Sequence, residues 1–242
     1  MRAMLKRHMD EVNSISFSPD GRSLVSGSDD CSVRIWNIRD GSSKKLPVTP
    51  AAGLFLSVVF SPDGRYIAAG DTGQSVWIWD SRTHKIVANW EGHSHYVWCV
   101  EFTPDGNGLM SGSADTTVKY WDASSLGTHE AVVPGHPFPL IRSFSGHIVR
   151  YCFYFIAYIV SRYSHLQNHV FSIAFFPGSN EWVITSSADG SVRVWDIRTG
   201  VWQLVVQGHR NSVTAVDISK TENLLATASV DRRVTLWRYE VL

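Results

Sequence analysis

The chain has 242 residues, 44% apolar and 12% aromatic, enough to bury a substantial core. Its formal net charge is zero and its charges are dispersed, so no strongly basic face is implied and binding of nucleic acid by counterion release has little support. The first ten residues hold no apolar run long enough for a signal peptide. The cysteines, Cys31, Cys99 and Cys152, cannot all pair and lack metal-ligand spacing, so they read as buried, reduced thiols inside a cell.

Met1–Arg7 aligns with the runs that precede Gly-His pairs later in the chain, and reads as an outer strand able to complete the last sheet and hide an edge. From there a unit repeats. Trp36, Trp79, Trp121, Trp195 and Trp237 close its copies at a period of about 42 residues, with one stretched interval between Trp121 and Trp195. Runs such as Val33–Trp36 alternate as half-buried strands do. Pro19-Asp20-Gly21 and its counterparts supply hairpin turns, with glycine available for positive φ. Each unit thus encodes three strands before its tryptophan and a fourth after it. The repeats span 8–37, 51–80, 92–122, 146–196 and 208–238 of a single domain, 1–242.

Two stretches break the period. Residues 123–145 form a long loop, in which His129 and His136 read as solvated side chains, since a metal site needs more ligands. The fourth repeat is interrupted just after Gly146-His147. The extra piece is apolar and aromatic but too short to span a membrane, with Arg150 and Arg162 near its ends. We read 149–167 as a non-native insertion, an in-frame translated intron. Val149 can be encoded by GT-initial codons and Gln167 by CAG, and removing the segment restores the spacing of the other repeats. A functional insertion is the alternative.

Ser/Thr, His and Asp recur at fixed distances from each closing tryptophan: His8, Ser26, Asp30 and Trp36; His93, Ser111, Asp115 and Trp121; His147, Thr185, Asp189 and Trp195; His209, Thr227, Asp231 and Trp237. The combination invites a hydrolase reading, but an enzyme needs one such constellation, not four. Buried polar groups must be paired, and a connected network rigidifies a sheet. We therefore read structural tetrads and no catalytic residue. Repeat two has Ala51, Ala69 and Gly73 at the His, Ser/Thr and Asp positions, so its sheet is expected to be the least stable. There is no phosphate-binding loop and no isolated nucleophile, so neither cofactor nor metal is implied and the chain reads as a non-enzyme.

The Gly-His and Trp-Asp marks and the unit length resemble the WD-repeat family. The resemblance implies an all-β fold: a β-propeller with five recognisable repeats, each a four-stranded blade. In that family the tetrad side chains tie outer to inner strands. Partners meet the narrow face around the central channel through three positions per repeat. These correspond to Glu11, Asn13 and Asp29; Leu54, Leu56 and Thr72; Tyr96, Trp98 and Ala114; His169, Phe171 and Ala188; Ser212, Thr214 and Val230. The partner-binding candidates are Glu11, Asn13 and Asp29 on blade one and the apolar and aromatic group Leu54, Leu56, Tyr96, Trp98, His169 and Phe171 on blades two to four. Aromatic anchors beside a polar rim resemble an interface hot spot; strand-end packing is the alternative.

Several stretches, among them residues 58–70, 92–122, 191–200 and 207–219, are similar to the C-terminal propeller of the fungal Tup-type general transcriptional corepressor. That likeness implies a nuclear scaffold with protein partners: DNA-bound repressors, histones and a TPR-repeat protein, with no direct contact to nucleic acid or membrane. Such propellers have seven blades and follow a coiled-coil tetramerisation segment. Five repeats either close with more curvature or remain an incomplete seven-bladed ring with exposed edges. Another WD-repeat role, such as a ubiquitin-ligase substrate receptor, is the alternative function; a propeller enzyme would need an unrepeated polar cluster in the channel.

Overall fold

A computed structural model of the chain describes residues 5–124, 126, 140–145 and 169–239. Over these residues it is all-β, an incomplete propeller of five antiparallel sheets. Blade one holds β1 (Val12–Phe17), β2 (Ser23–Ser28), β3 (Ser32–Asn37) and β4 (Ser43–Lys45). Blade two holds β5 (Phe55–Phe60), β6 (Tyr66–Asp71), β7 (Ser75–Asp80) and β8 (Ile86–Glu91). Blade three holds β9 (Val97–Phe102), β10 (Gly108–Ser113), β11 (Thr117–Asp122) and β12 (Leu140–Ser145). Blade four holds β13 (Val170–Phe175), β14 (Trp182–Ser187), β15 (Ser191–Asp196) and β16 (Trp202–Gln207), and blade five β17 (Val213–Ile218), β18 (Leu224–Ser229) and β19 (Val234–Arg238). Strands follow chain order within each blade.

The core lies between blades. β1 packs on β5, β5 on β9, β9 on β13 and β13 on β17. Each seam is a separate apolar cluster: Val25 and Val33 against Phe55 and Val58, Ala68 and Val76 against Val97 and Val100, Met110 and Val118 against Val170 and Ile173, Ile184 and Val192 against Val213 and Val216. Close approach of the backbones explains one glycine per early blade. A Cβ on Gly70 would stand 2.6 Å from the Val97 side chain, and one on Gly112 would stand 2.8 Å from Val170, both inside van der Waals contact.

Three expectations need correction. The stretch 123–145 is not loop to its end: Leu140–Ser145 pairs with β11 as the fourth strand of blade three. Its Phe144 is buried and packs edge-on against Trp195 of the next blade, 5.7 Å between centroids; burying that aromatic ring explains why a strand whose Leu140 and Ile141 stay exposed settles there. In the leading segment Leu5–Arg7 form no strand and line a cleft with Trp36, Ile38 and Gly41 of blade one, and among the described residues blade five has three strands. His8, fastened to Ser26 and Asp30, holds the segment to its own blade. Cys99 is buried and its thiol is pushed up to about 12 by that burial, whereas Cys31 is only half-buried. Residues 1–4, His129, His136, His147, Cys152 and the segment 149–167 lie outside the described residues.

Candidate protein-binding site

The tetrads hold the ends of the blades and so frame the site. A carboxylate only accepts, which fixes the direction of each chain. In blade three Trp121 Nε1 donates to Ser111 Oγ (2.8 Å), Ser111 to His93 Nε2 (2.7 Å), and His93 Nδ1 to Asp115 Oδ2 (2.7 Å). The same relay runs through Trp36, Ser26, His8 and Asp30 at 2.7, 2.6 and 2.9 Å, and through Trp237, Thr227, His209 and Asp231 at 2.9, 2.7 and 2.9 Å. In blade four Trp195 Nε1 donates to Thr185 Oγ1 at 2.8 Å, and Asp189 meets Arg193 at 2.7 Å. Ser111 is fully buried, its oxygen accepting from an indole.

Burial by itself would raise the Asp30 carboxyl. Hydrogen bonds from Ser32, the Met9 amide and His8 outweigh it and bring the group down to about 2. Asp231 is likewise brought to about 2 against desolvation, by the Arg210 amide and His209. Asp115 is lowered further by His93, Thr117 and the Ser94 amide. His93 itself is pushed down by burial, against the pull of Asp115, which keeps it neutral as the relay requires.

Blade two has a different tie. Asp71 is fully buried and accepts from the Gly53 amide (3.0 Å), the Ser75 amide (2.9 Å) and Trp77 Nε1 (2.9 Å). Trp79 Nε1 donates instead to the Pro47 carbonyl (2.7 Å).

Above these ties every first strand carries the same irregularity. Pairing between first and second strands skips one residue near the strand start: Asn13, Leu56, Trp98, Phe171 and Thr214. Such a bulge leaves a residue unpaired and re-aims its side chain. The residue two before it accepts from the turn after the second strand: the carbonyls of Glu11, Leu54, Tyr96, His169 and Ser212 receive the amides of Asp29, Thr72, Ala114, Ala188 and Val230 at 2.9–3.0 Å. The three candidate positions of each repeat are thereby brought together at one end of its blade.

Their chemistry is uneven. On blade one Asn13 Nδ2 donates to Asp29 Oδ1 (2.6 Å) and to the Phe55 carbonyl (3.1 Å), beside exposed Glu11. On blade two Leu56 is nearly buried and Leu54 half-buried. Across blades three and four the rings join. Trp98 stands edge-on to Tyr96 (6.3 Å) and to Phe171 (5.6 Å), and its Nε1 donates to His169 Nδ1 (3.1 Å). Tyr96, Trp98 and Phe171 stay half-exposed while His169 is buried. Sequence reasoning missed His95, whose ring stacks edge-on to Tyr96 at 4.4 Å; its place in the turn before the strand gave no periodic signal. It also missed Glu101 on β9. Burial, reinforced by Asp217 and opposed by Lys220, pushes that carboxyl up to about 7. Among the described residues no cluster of three or more His, Cys, Asp or Glu is placed to hold a metal, and no helix is long and apolar enough to cross a membrane.

The family described as WD domain, G-beta repeat matches residues 2–37, 50–80, 84–122, 158–196 and 200–238. The chain is similar to the transcriptional repressor rco-1 of Neurospora crassa, 41% identical over 78 residues, which is 30% of this chain and 13% of that protein. It is similar to the general transcriptional corepressor TUP1 of Saccharomyces cerevisiae, 34% identical over 68 residues, 26% of this chain and 10% of the relative. The Denticleless protein homolog of Gallus gallus matches at 32% over 72 residues, 29% of this chain and 10% of that protein. The matched stretches are thus a small part of each relative's length.

Proposed function

The chain belongs to the WD domain, G-beta repeat family, and we propose that it is a non-catalytic protein-interaction scaffold of transcriptional-corepressor type, acting in the nucleus. The observation that carries this reading is the half-exposed ring cluster of Tyr96, Trp98 and Phe171, held at one end of blades three and four by bulges and by the Trp98–His169 hydrogen bond. Aromatic rings present a large contact area at low entropic cost and are enriched in interface hot spots. The polar edge at Glu11, Asn13 and Asp29 supplies orientation. The partners are other proteins, DNA-bound repressors foremost, with histones and a TPR-repeat protein as further candidates. The corepressor type rests on the likeness to rco-1 and TUP1. A second reading, an adaptor of another complex, is favoured by the likeness to the Denticleless homolog.

Tethering the whole chain to a promoter through a foreign DNA-binding domain tests the reading. Repression of the reporter is expected, and Trp98→Ala should relieve it while leaving the melting temperature within a few degrees. Full repression by the Trp98→Ala protein would move the binding site elsewhere, and no repression by the parent chain would favour the adaptor.

A further inference from the structure

The two ends of the blade array expose side chains whose equivalents are packed together between the inner blades. On blades two, three and five, three positions of the first strand are buried against the preceding blade, as Phe55, Val58 and Phe60 are on blade two and Val213, Val216 and Ile218 on blade five; on blade four Val170 and Ile173 are buried and Phe175 is half-buried. The same register positions on blade one are Val12, Ile15 and Phe17, as the pairing of each first strand with its second shows. There they stand in solvent, Ile15 59% and Phe17 61% exposed. The opposite half appears on blade five. On the third strand of blade four, Val192 is buried against blade five and Val194 packs half-buried on the same cluster. Counterparts of the third strand, Val234 and Leu236, are 74% and 65% exposed.

The charges at the rim match as well. At the seam of blades four and five, a Cβ on Gly190 would lie 3.4 Å from the Asn211 carbonyl. The position equivalent to Gly190 on blade five is Arg232, which shares its positive φ, and the position equivalent to Asn211 on blade one is Asp10. Both are exposed, and exposed Arg233 follows the first. Repeating the internal seam between blade five and a blade one would therefore set arginine against aspartate at the rim of an apolar contact. Opposite charges there give register and speed of encounter.

We propose that a second copy of this chain supplies each end face with its complement, so that blade five of one copy packs on blade one of the next. Continuity with the four internal seams and the Arg232–Asp10 match both point to this occupant. The contact joins different surfaces of the two copies. It is heterologous, and it propagates unless an end is capped.

Sedimentation of this 242-residue chain over a range of concentrations tests the proposal. The parent chain should grow past the dimer as concentration rises, and less so at high salt. Phe17→Lys blocks only the leading face and Leu236→Lys only the trailing face; both side chains are exposed, so the fold tolerates lysine. Each variant alone should remain a monomer, and an equimolar mixture should give a one-to-one dimer and nothing larger. Asp10→Arg should weaken association of the parent chain, and combining it with Arg232→Asp should restore it. A parent chain that stays monomeric at every concentration would overturn the proposal, as would a single-face variant that still self-associates or a mixture that fails to pair.

Discussion

Blades two and three stand side by side with the same four-strand order, yet they are tied by different polar groups. Blade three runs a relay of four side chains from Trp121 to Asp115. Blade two places one fully buried carboxylate, Asp71, where three donors converge on it. The fold thus requires a link from an indole to the tight turn after the second strand, and not a fixed set of residues. A buried acceptor with several donors and a longer relay partly open to water meet the same need.

Removing each tie should separate the two designs. Asp71→Ala strands two buried donors, the Ser75 amide and Trp77 Nε1, and one half-buried, the Gly53 amide, and should cost about 3 kcal/mol or more, read as the shift of a urea midpoint. Should it prove neutral, blade two is the loosely held one that its missing tetrad led us to expect. Asp115→Ala should cost less, roughly 1–3 kcal/mol, because water can reach the Ser94 amide and Thr117, leaving His93 as the buried donor without its acceptor.

Acid sharpens the contrast. Asp30 and Asp231 sit at about 2 in the fold against an ordinary 3.8. Their stabilisation is therefore complete above 3.8 and is lost as pH falls toward about 2. A pH series of melting temperatures should decline over that window, and Asp30→Ala should flatten the decline while lowering the plateau. A decline of unchanged slope in the variant would mean that the relay does not carry the acid sensitivity. Glu101 has the opposite sign. Its carboxyl is raised from 4.5 to about 7, so stability is complete below 4.5 and falls as pH rises through 7. Glu101→Gln should remove that fall.

The smallest effect concerns the turn beside each tie. Cys31, Gln74, Thr116, Gly190 and Arg232 occupy the same place with φ between 57° and 80°. Only blade four uses glycine there, and a β-branched residue is strained in that region. Thr116→Gly should stabilise by roughly 0.5 kcal/mol, the relief of strain being offset in part by the freedom of glycine in the unfolded chain.

Strands, turns and the relays of blades one, three and five were legible because they repeat at one spacing. The tie of blade two was not. Asp71 precedes Trp77 by six residues, as Asp115 precedes Trp121, but the pair is displaced along its strands relative to the indole-to-Ser/Thr bond it replaces. A step of two keeps a side chain on the same face, so the structure absorbs a displacement that a fixed spacing misses. Leu140–Ser145 escaped notice because Ser143 and Ser145 flank its one buried ring. The three candidate positions of each repeat could be picked out, but not the bulge that brings them together, since a skipped pairing leaves no mark in composition. Nor could periodicity tell that Ile15 and Leu236 face water, because exposure at the ends depends on neighbours and not on the repeat itself.

The bulge has a consequence for how such a molecule can change. Asn13, Leu56, Trp98, Phe171 and Thr214 share a backbone position and almost nothing chemically. A residue excluded from the ladder can be exchanged with little disturbance to strand pairing, so on the proposed reading the partner face can vary independently of folding at every blade but the second, where Leu56 is buried. Selection could then rewrite a partner list one blade at a time, and a protein engineer can treat the four remaining sites as a small combinatorial library on an unchanged frame.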